Sequence, residues 1–170
     1  LTIEIDDAGT GDILHGVVIG AYRPEDDVFL YDLIDVRYFQ EPVYGEKRHL
    51  NEARRIALRL VDRLGLRDKE KISICTGDIL NEAAEALLEE YGEDRVERCR
   101  IEARAQYLVE LAYMDELRNI GYEPIENRTE RWGKNFWHQY NWLRKDPKVR
   151  LRWAKSAFPN LRKYPLFKSA

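Results

Sequence analysis

The chain opens on alternation. Leu1, Ile3 and Ile5 fall on one face of an extended segment and Thr2, Glu4 and Asp6 on the other, the period-two signature of a strand. Residues 16–23 are almost continuously apolar, as in a strand buried on both faces. A polar turn, Pro24-Glu25-Asp26-Asp27, separates them from a third alternating run at 28–39. The short connections predict an antiparallel meander. The period then changes. Leu50, Ala53, Ile56, Ala57, Leu60, Val61 and Leu64 recur at helical spacing, predicting a long helix from near Glu46 that stops at Gly65. A short central strand is expected at 71–77, running through Gly77-Asp78 into a helix with Leu80, Ala83, Ala84, Leu87, Leu88 and Tyr91 inward. A fifth strand at 96–101 is closed by Glu102, and a third helix at 103–120 turns Tyr107, Leu108, Leu111 and Ala112 inward before Gly121.

Three strands followed by alternating helices and strands describe an α/β fold: a mixed five-stranded sheet, three antiparallel strands and then helix crossovers. Beyond Gly121 the texture changes. Residues 129–145 (Trp132, Phe136, Trp137, Tyr140, Leu143) and 147–158 (Val149, Trp153, Ala157) predict two further helices, with Asp146-Pro147 as cap and first residue of the second. The tail from Pro159 reads as irregular. The expected organisation is one domain at 1–121 with a basic, tryptophan-rich helical extension at 122–170 packed on it.

Composition narrows the class. At 170 residues, 44% hydrophobic and 35% charged, the chain reads as a soluble globular domain. No apolar run reaches membrane-spanning length and no export signal opens the chain, so a cytoplasmic location is the default expectation. Cys75 and Cys99, in neighbouring predicted strands, read as small core residues ahead of a disulfide or a metal site. Few glutamines among many Glu and Arg hint at a heat-tolerant source. The net charge of −3 conceals a division: from Arg128 onward there are twelve Lys or Arg against two acids, and all four tryptophans lie in that part. Such asymmetry points to a polyanionic partner without specifying which one. Arg144, Lys145, Lys148, Arg150 and Arg152 are the candidate phosphate-tracking residues, a solvated basic face being the alternative. The aromatics among them suit either core packing or stacking on bases.

The candidate chemistry lies at strand ends. The first strand finishes on two adjacent carboxylates, Asp6 and Asp7, followed by Gly9-Thr10-Gly11. Two neighbouring acids repel, and a divalent cation relieves that repulsion. Asp78 and Glu102 close the fourth and fifth predicted strands, and ligand sites in such sheets form outside strand ends at a change in topology. Asp6, Asp7, Asp78 and Glu102 are therefore expected to converge on Mg2+ or Mn2+. Each has a plainer reading: Asp6 as a loop cap, Asp7 as an exposed turn acid, Asp78 and Glu102 as helix caps.

Ile5-Asp6-Asp7-Ala8-Gly9-Thr10-Gly11 resembles the first motif of the type 2 ribonucleases H, Ile-Asp-Glu-Ala-Gly-Arg-Gly. The resemblance implies a ribonuclease H-like fold and divalent-metal-dependent hydrolysis of phosphodiesters in RNA, DNA or a hybrid. It puts metal ligation on Asp6 and Asp7, on Asp78 as the acid after the fourth strand, and on Glu102 at the head of Glu102-Ala103-Arg104-Ala105. It makes Gly9, Thr10 and Gly11 the substrate loop. Two departures stand out: Thr10 replaces the arginine, and Gly45-Glu46-Lys47-Arg48 does not match the family's Asp-Ser-Lys motif. They favour the rival reading, a catalytically silent nucleic-acid-binding or scaffold protein on the same fold. Asp-Ala-Gly-Thr-Gly also resembles the phosphate loop of actin-like ATPases, for whose two duplicated domains this chain is short.

Overall fold

A computed structural model describes residues 1–168. Five strands, β1 (Thr2–Ala8), β2 (Val17–Arg23), β3 (Val28–Ile34), β4 (Lys71–Ile74) and β5 (Val96–Arg98), form one sheet in the order β3-β2-β1-β4-β5. β1 to β3 pair antiparallel, whereas β4 lies parallel to β1 and β5 parallel to β4. This is the expected mixed sheet, with β1 at its centre and the change from meander to crossover at its flank. Helices α1 (Arg48–Leu64) and α2 (Asn81–Tyr91) cover one face, where Ile3, Ile5, Ile19, Ile56, Leu60 and Ile72 are wholly buried. α3 (Ala103–Asn119) covers the other, packing with α4 (Trp132–Lys145) and the turns near the C-terminus around Ala8, Val18, Tyr113, Tyr140, Leu143 and Leu161. No helix among the described residues is long and apolar enough to cross a membrane.

Several boundaries differ from expectation, each for a local reason. The third strand stops at Ile34 because Asp35 accepts the Arg37 amide at 2.9 Å and starts a 3-10 turn at Val36–Phe39. β4 and β5 are shorter than their apolar runs, and a 3-10 turn at Asp78–Leu80 precedes α2. The expected helix at 147–158 is a single turn, α5 (Pro147–Arg150), then a 3-10 turn. Ala154 leaves the helix to bridge Leu14, since Lys155 donates its amide to the Ile13 carbonyl at 2.8 Å. The tail forms 3-10 turns at Pro159–Lys163 and Pro165–Phe167, anchored by buried Leu161 and Phe167; positions 169 and 170 lie outside the described residues.

The largest correction concerns α3. Its buried face is Ala105, Val109, Ala112, Tyr113 and Leu117; of the expected inward residues Ala112 is buried, Leu108 and Leu111 are half-buried, and Tyr107 is 55% exposed. The two tyrosines are equally apolar, but only Tyr113 reaches a buried acceptor, donating its hydroxyl to the Leu14 carbonyl at 2.6 Å. This choice of face rotates Glu110 toward the end of β1.

Candidate metal centre

The pairing of β1 with β2 and β4 holds the acids in place. Asp6 and Asp7 stand opposite Gly20 and Ile19 of β2, and Asp6 Oδ1 accepts the Asp7 amide at 2.9 Å. The parallel pairing continues one residue past β4, where Cys75 donates its amide to the Ile5 carbonyl at 3.0 Å. Ligand atoms of Asp6, Asp7 and Cys75 consequently lie within 4.8 Å of one another. Gly77 comes close as well: a Cβ there would stand 3.3 Å from Asp7 Oδ1.

Of the four expected ligands, the structure brings Asp6 and Asp7 together and leaves the other two outside this group. Asp78 is exposed at the head of its 3-10 turn, and neither that turn nor α2 receives a side-chain cap. It lines a cleft of about 650 Å3 beside Thr10, Lys47, Phe158 and Arg162. Glu102 sits at the N-cap position of α3 without capping it, 66% exposed and paired with Arg100 at 3.2 Å. Two other residues stand near the acid pair. Cys75 packs against the core as the sequence suggests and is a free thiol, and it also lies at the acid pair. Glu110 acts on Asp7 from α3, half-buried and ion-paired with Arg128. Its signal in the sequence was its place beside Val109 and Tyr113, visible only once α3 is correctly rotated.

The electrostatics are those of uncompensated acids. Burial pushes the Asp7 carboxyl up to about 7, and the neighbouring Asp6 and Glu110 add to the shift while the Thr10 hydroxyl opposes it. Burial also raises Asp6, against hydrogen bonds from the Asp7 amide and the Cys75 thiol. Glu110 is pushed up to about 6 by burial, offset by the Arg128 guanidinium. Among the described residues neither Asp6 nor Asp7 is in an ion pair with a cationic side chain, whereas Glu110 is. The Cys75 thiol, raised by burial, stays protonated at neutral pH, so the charged donors are oxygens. Such a set fits a hard divalent cation.

The Gly9-Thr10-Gly11 loop is held rigidly over these groups. Gly9 has φ +102°, and a Cβ on it would lie 2.5 Å from the Tyr113 ring, so only glycine serves. Asp12, expected as mere loop polarity, is 1% exposed and accepts from Arg128 at 2.7 Å, Asn135 at 2.8 Å and Gln139 at 2.8 Å. Ile13 donates to Gln139 Oε1, His15 to the Trp153 carbonyl, and Lys155 Nζ to the Leu14 carbonyl at 2.7 Å. The segment after Gly121 thus clamps the loop. His15 is buried in that clamp, edge-on to Trp153 and 3.6 Å from Glu116.

The five basic candidates lie on α4, α5 and the following turn. Arg144, Lys145, Lys148 and Arg152 are exposed, and Arg150 stacks 4.4 Å over Trp142. Arg144, Lys145 and Arg150 line a cleft of about 690 Å3 with Tyr122, His138 and Trp142.

No protein-family model matches the chain, and no curated protein matches it. Two crystal structures of Bst-RNase HIII do share its architecture. One is of a point mutant, with TM-score 0.57 and 16% identity, and one is of the protein in complex with Mn2+, with TM-score 0.56 and 17% identity. Each alignment covers 95% of this chain and 68% of the other. The likeness at this identity is one of architecture, and with the strand order above it makes the fold ribonuclease H-like.

Proposed function

We propose that the chain is a divalent-metal-dependent nuclease that hydrolyses phosphodiester bonds of RNA, DNA or a hybrid. The observation that carries this reading is the pair of adjacent carboxylates, buried Asp6 and half-buried Asp7, whose oxygens lie with the Cys75 sulfur within 4.8 Å of one another and where Asp6 and Glu110 both push Asp7 up. Asp6 and Asp7 would hold Mg2+ or Mn2+, with Glu110, whose charge acts on both, as a further oxygen donor. When bound, the ion supplies Lewis acidity toward a phosphodiester and its attacking water. The chain's own residues do the rest. The Thr10 hydroxyl favours the charged form of Asp7, the small loop residues let backbone approach a strand, and the basic C-terminal segment draws the polyanion in. The Mn2+ complex of the structurally similar Bst-RNase HIII supports the choice of ion.

The experiment is a thermal melt with added Mn2+ or Mg2+, alongside cleavage of labelled RNA, DNA and hybrid. Binding to the native state alone raises the melting temperature, and Asp6→Asn abolishes both the rise and the cleavage. No rise for the native protein would sink the metal reading. A second reading, a nucleic-acid-binding protein without turnover, is favoured by the thiol of Cys75 at the acid pair and the tie of Glu110 to Arg128. It predicts binding without cleavage under either metal.

A further inference from the structure

Four tryptophans sit in the basic part of the chain, and three of them have an aromatic or cationic neighbour on the ring, although Trp137 is 49% exposed. Trp137 packs against Phe136, Tyr140 and Tyr164. Trp142 lies between Tyr122 and Arg150, and Trp153 meets His15 and Arg152. Trp132 differs. Among the described residues it has no aromatic or cationic partner on its ring. It is 48% exposed, and its six-membered ring lies over Gly11: a Cβ on that glycine would stand 3.2 Å from Cη2 and Cζ3. Gly11 closes the loop that follows Asp6 and Asp7 in the chain, so the indole packs on the loop adjoining the acid pair.

The indole is also held still. Asn135 and Gln139, on the buried face of the same helix, both donate to Asp12 in the same loop. Helix and loop are thus tied together beneath the ring, with Arg131 and Lys134 exposed on either side of Trp132. A half-exposed indole, anchored on one side and flanked by cations, has the attributes of a stacking surface for a nucleobase between phosphate contacts.

We propose that Trp132 stacks an unpaired base beside the metal centre, and that the strand it receives is single-stranded nucleic acid; the proposal rests on the nuclease reading. A paired base inside a duplex has both faces covered by its neighbours and offers nothing to the indole, whereas an unpaired one offers a full face. Trp132 acts as a positioning residue: it touches the base and sets which phosphodiester faces the acids.

The test is binding of labelled oligothymidylate and oligouridylate in EDTA, read by fluorescence anisotropy so that turnover plays no part. Trp132→Ala is expected to weaken single-strand binding on the order of 5- to 150-fold, and Trp132→Phe to restore most of it. The gap should close on an abasic oligonucleotide and be much smaller on a duplex; the two probes tell DNA from RNA. Trp132→Ala should keep the Mn2+-induced rise in melting temperature, which depends on Asp6. Equal affinity of Trp132→Ala and the native protein overturns the proposal, as does failure of the native protein to bind either probe. So does loss of the Mn2+ response in Trp132→Ala, which would make the ring a structural support. None of these results touches the metal reading, which stands or falls with Asp6→Asn.

Discussion

Lys155 is an ammonium group with no exposed surface, and its replacement by methionine should stabilise the protein. Burial lowers its pKa from 10.5 to about 7, with Asp12 partly offsetting the effect and Arg128 adding to it. A drop of that size corresponds to roughly 5 kcal/mol of preference for the neutral amine, which the folded state forfeits wherever the amine is charged. Against this, Lys155→Met loses the hydrogen bond to the Leu14 carbonyl, about 1 kcal/mol, and the placement over the Phe39 and Tyr113 rings, about another 1 kcal/mol. The carbonyl is not orphaned, because Tyr113 still donates to it. The net expectation is a gain of about 2–3 kcal/mol near neutral pH, or roughly 5–10 °C in melting temperature. The sign with pH follows from the direction of the shift. Below the folded value both states are charged and the full cost is present; as pH climbs from about 7 toward 10.5 the folded state sheds its proton first and the cost disappears. The advantage of Lys155→Met should therefore shrink by about 3 kcal/mol between about pH 6.5 and about pH 9.5, as measured by urea unfolding. A variant that is destabilised near neutral pH, or whose advantage does not change with pH, would refute the account of a desolvated ammonium.

Asp12→Ala should be severe. It leaves the buried Arg128 with Glu110 alone and strands the amides of Asn135 and Gln139, a loss of about 3–5 kcal/mol and roughly 10 °C on melting. A shift of only a degree or two would mean that the loop is held by something else. Glu102→Gln should leave the Mn2+-induced rise in melting temperature intact, since its carboxylate is exposed and engaged with Arg100. Loss of that rise would return Glu102 to the metal centre.

What the amino-acid order determined by itself was local. Alternation and helical spacing suffice for five strands and the helices between them, because side-chain period follows directly from backbone geometry. The pairing of Asp6 with Asp7, and the glycine loop after them, are equally legible, since covalent neighbours at a strand end need no tertiary contact to meet. The other members of the site were decided in three dimensions. Sequence periodicity could not choose between Tyr107 and Tyr113 for the inside of α3, and one residue of rotation is about 100° around a helix. The choice fell to a hydroxyl finding the Leu14 carbonyl, and with it Glu110, not Glu102, turned toward the acids. Cys75 reached them through one further step of parallel pairing past β4, which a short apolar run does not reveal. Asp12 meets Gln139 across 127 positions, and Gly11 meets Trp132 across the same fold. Contacts of that reach depend on how α4 docks, and docking is a property of packed surfaces that no local pattern encodes.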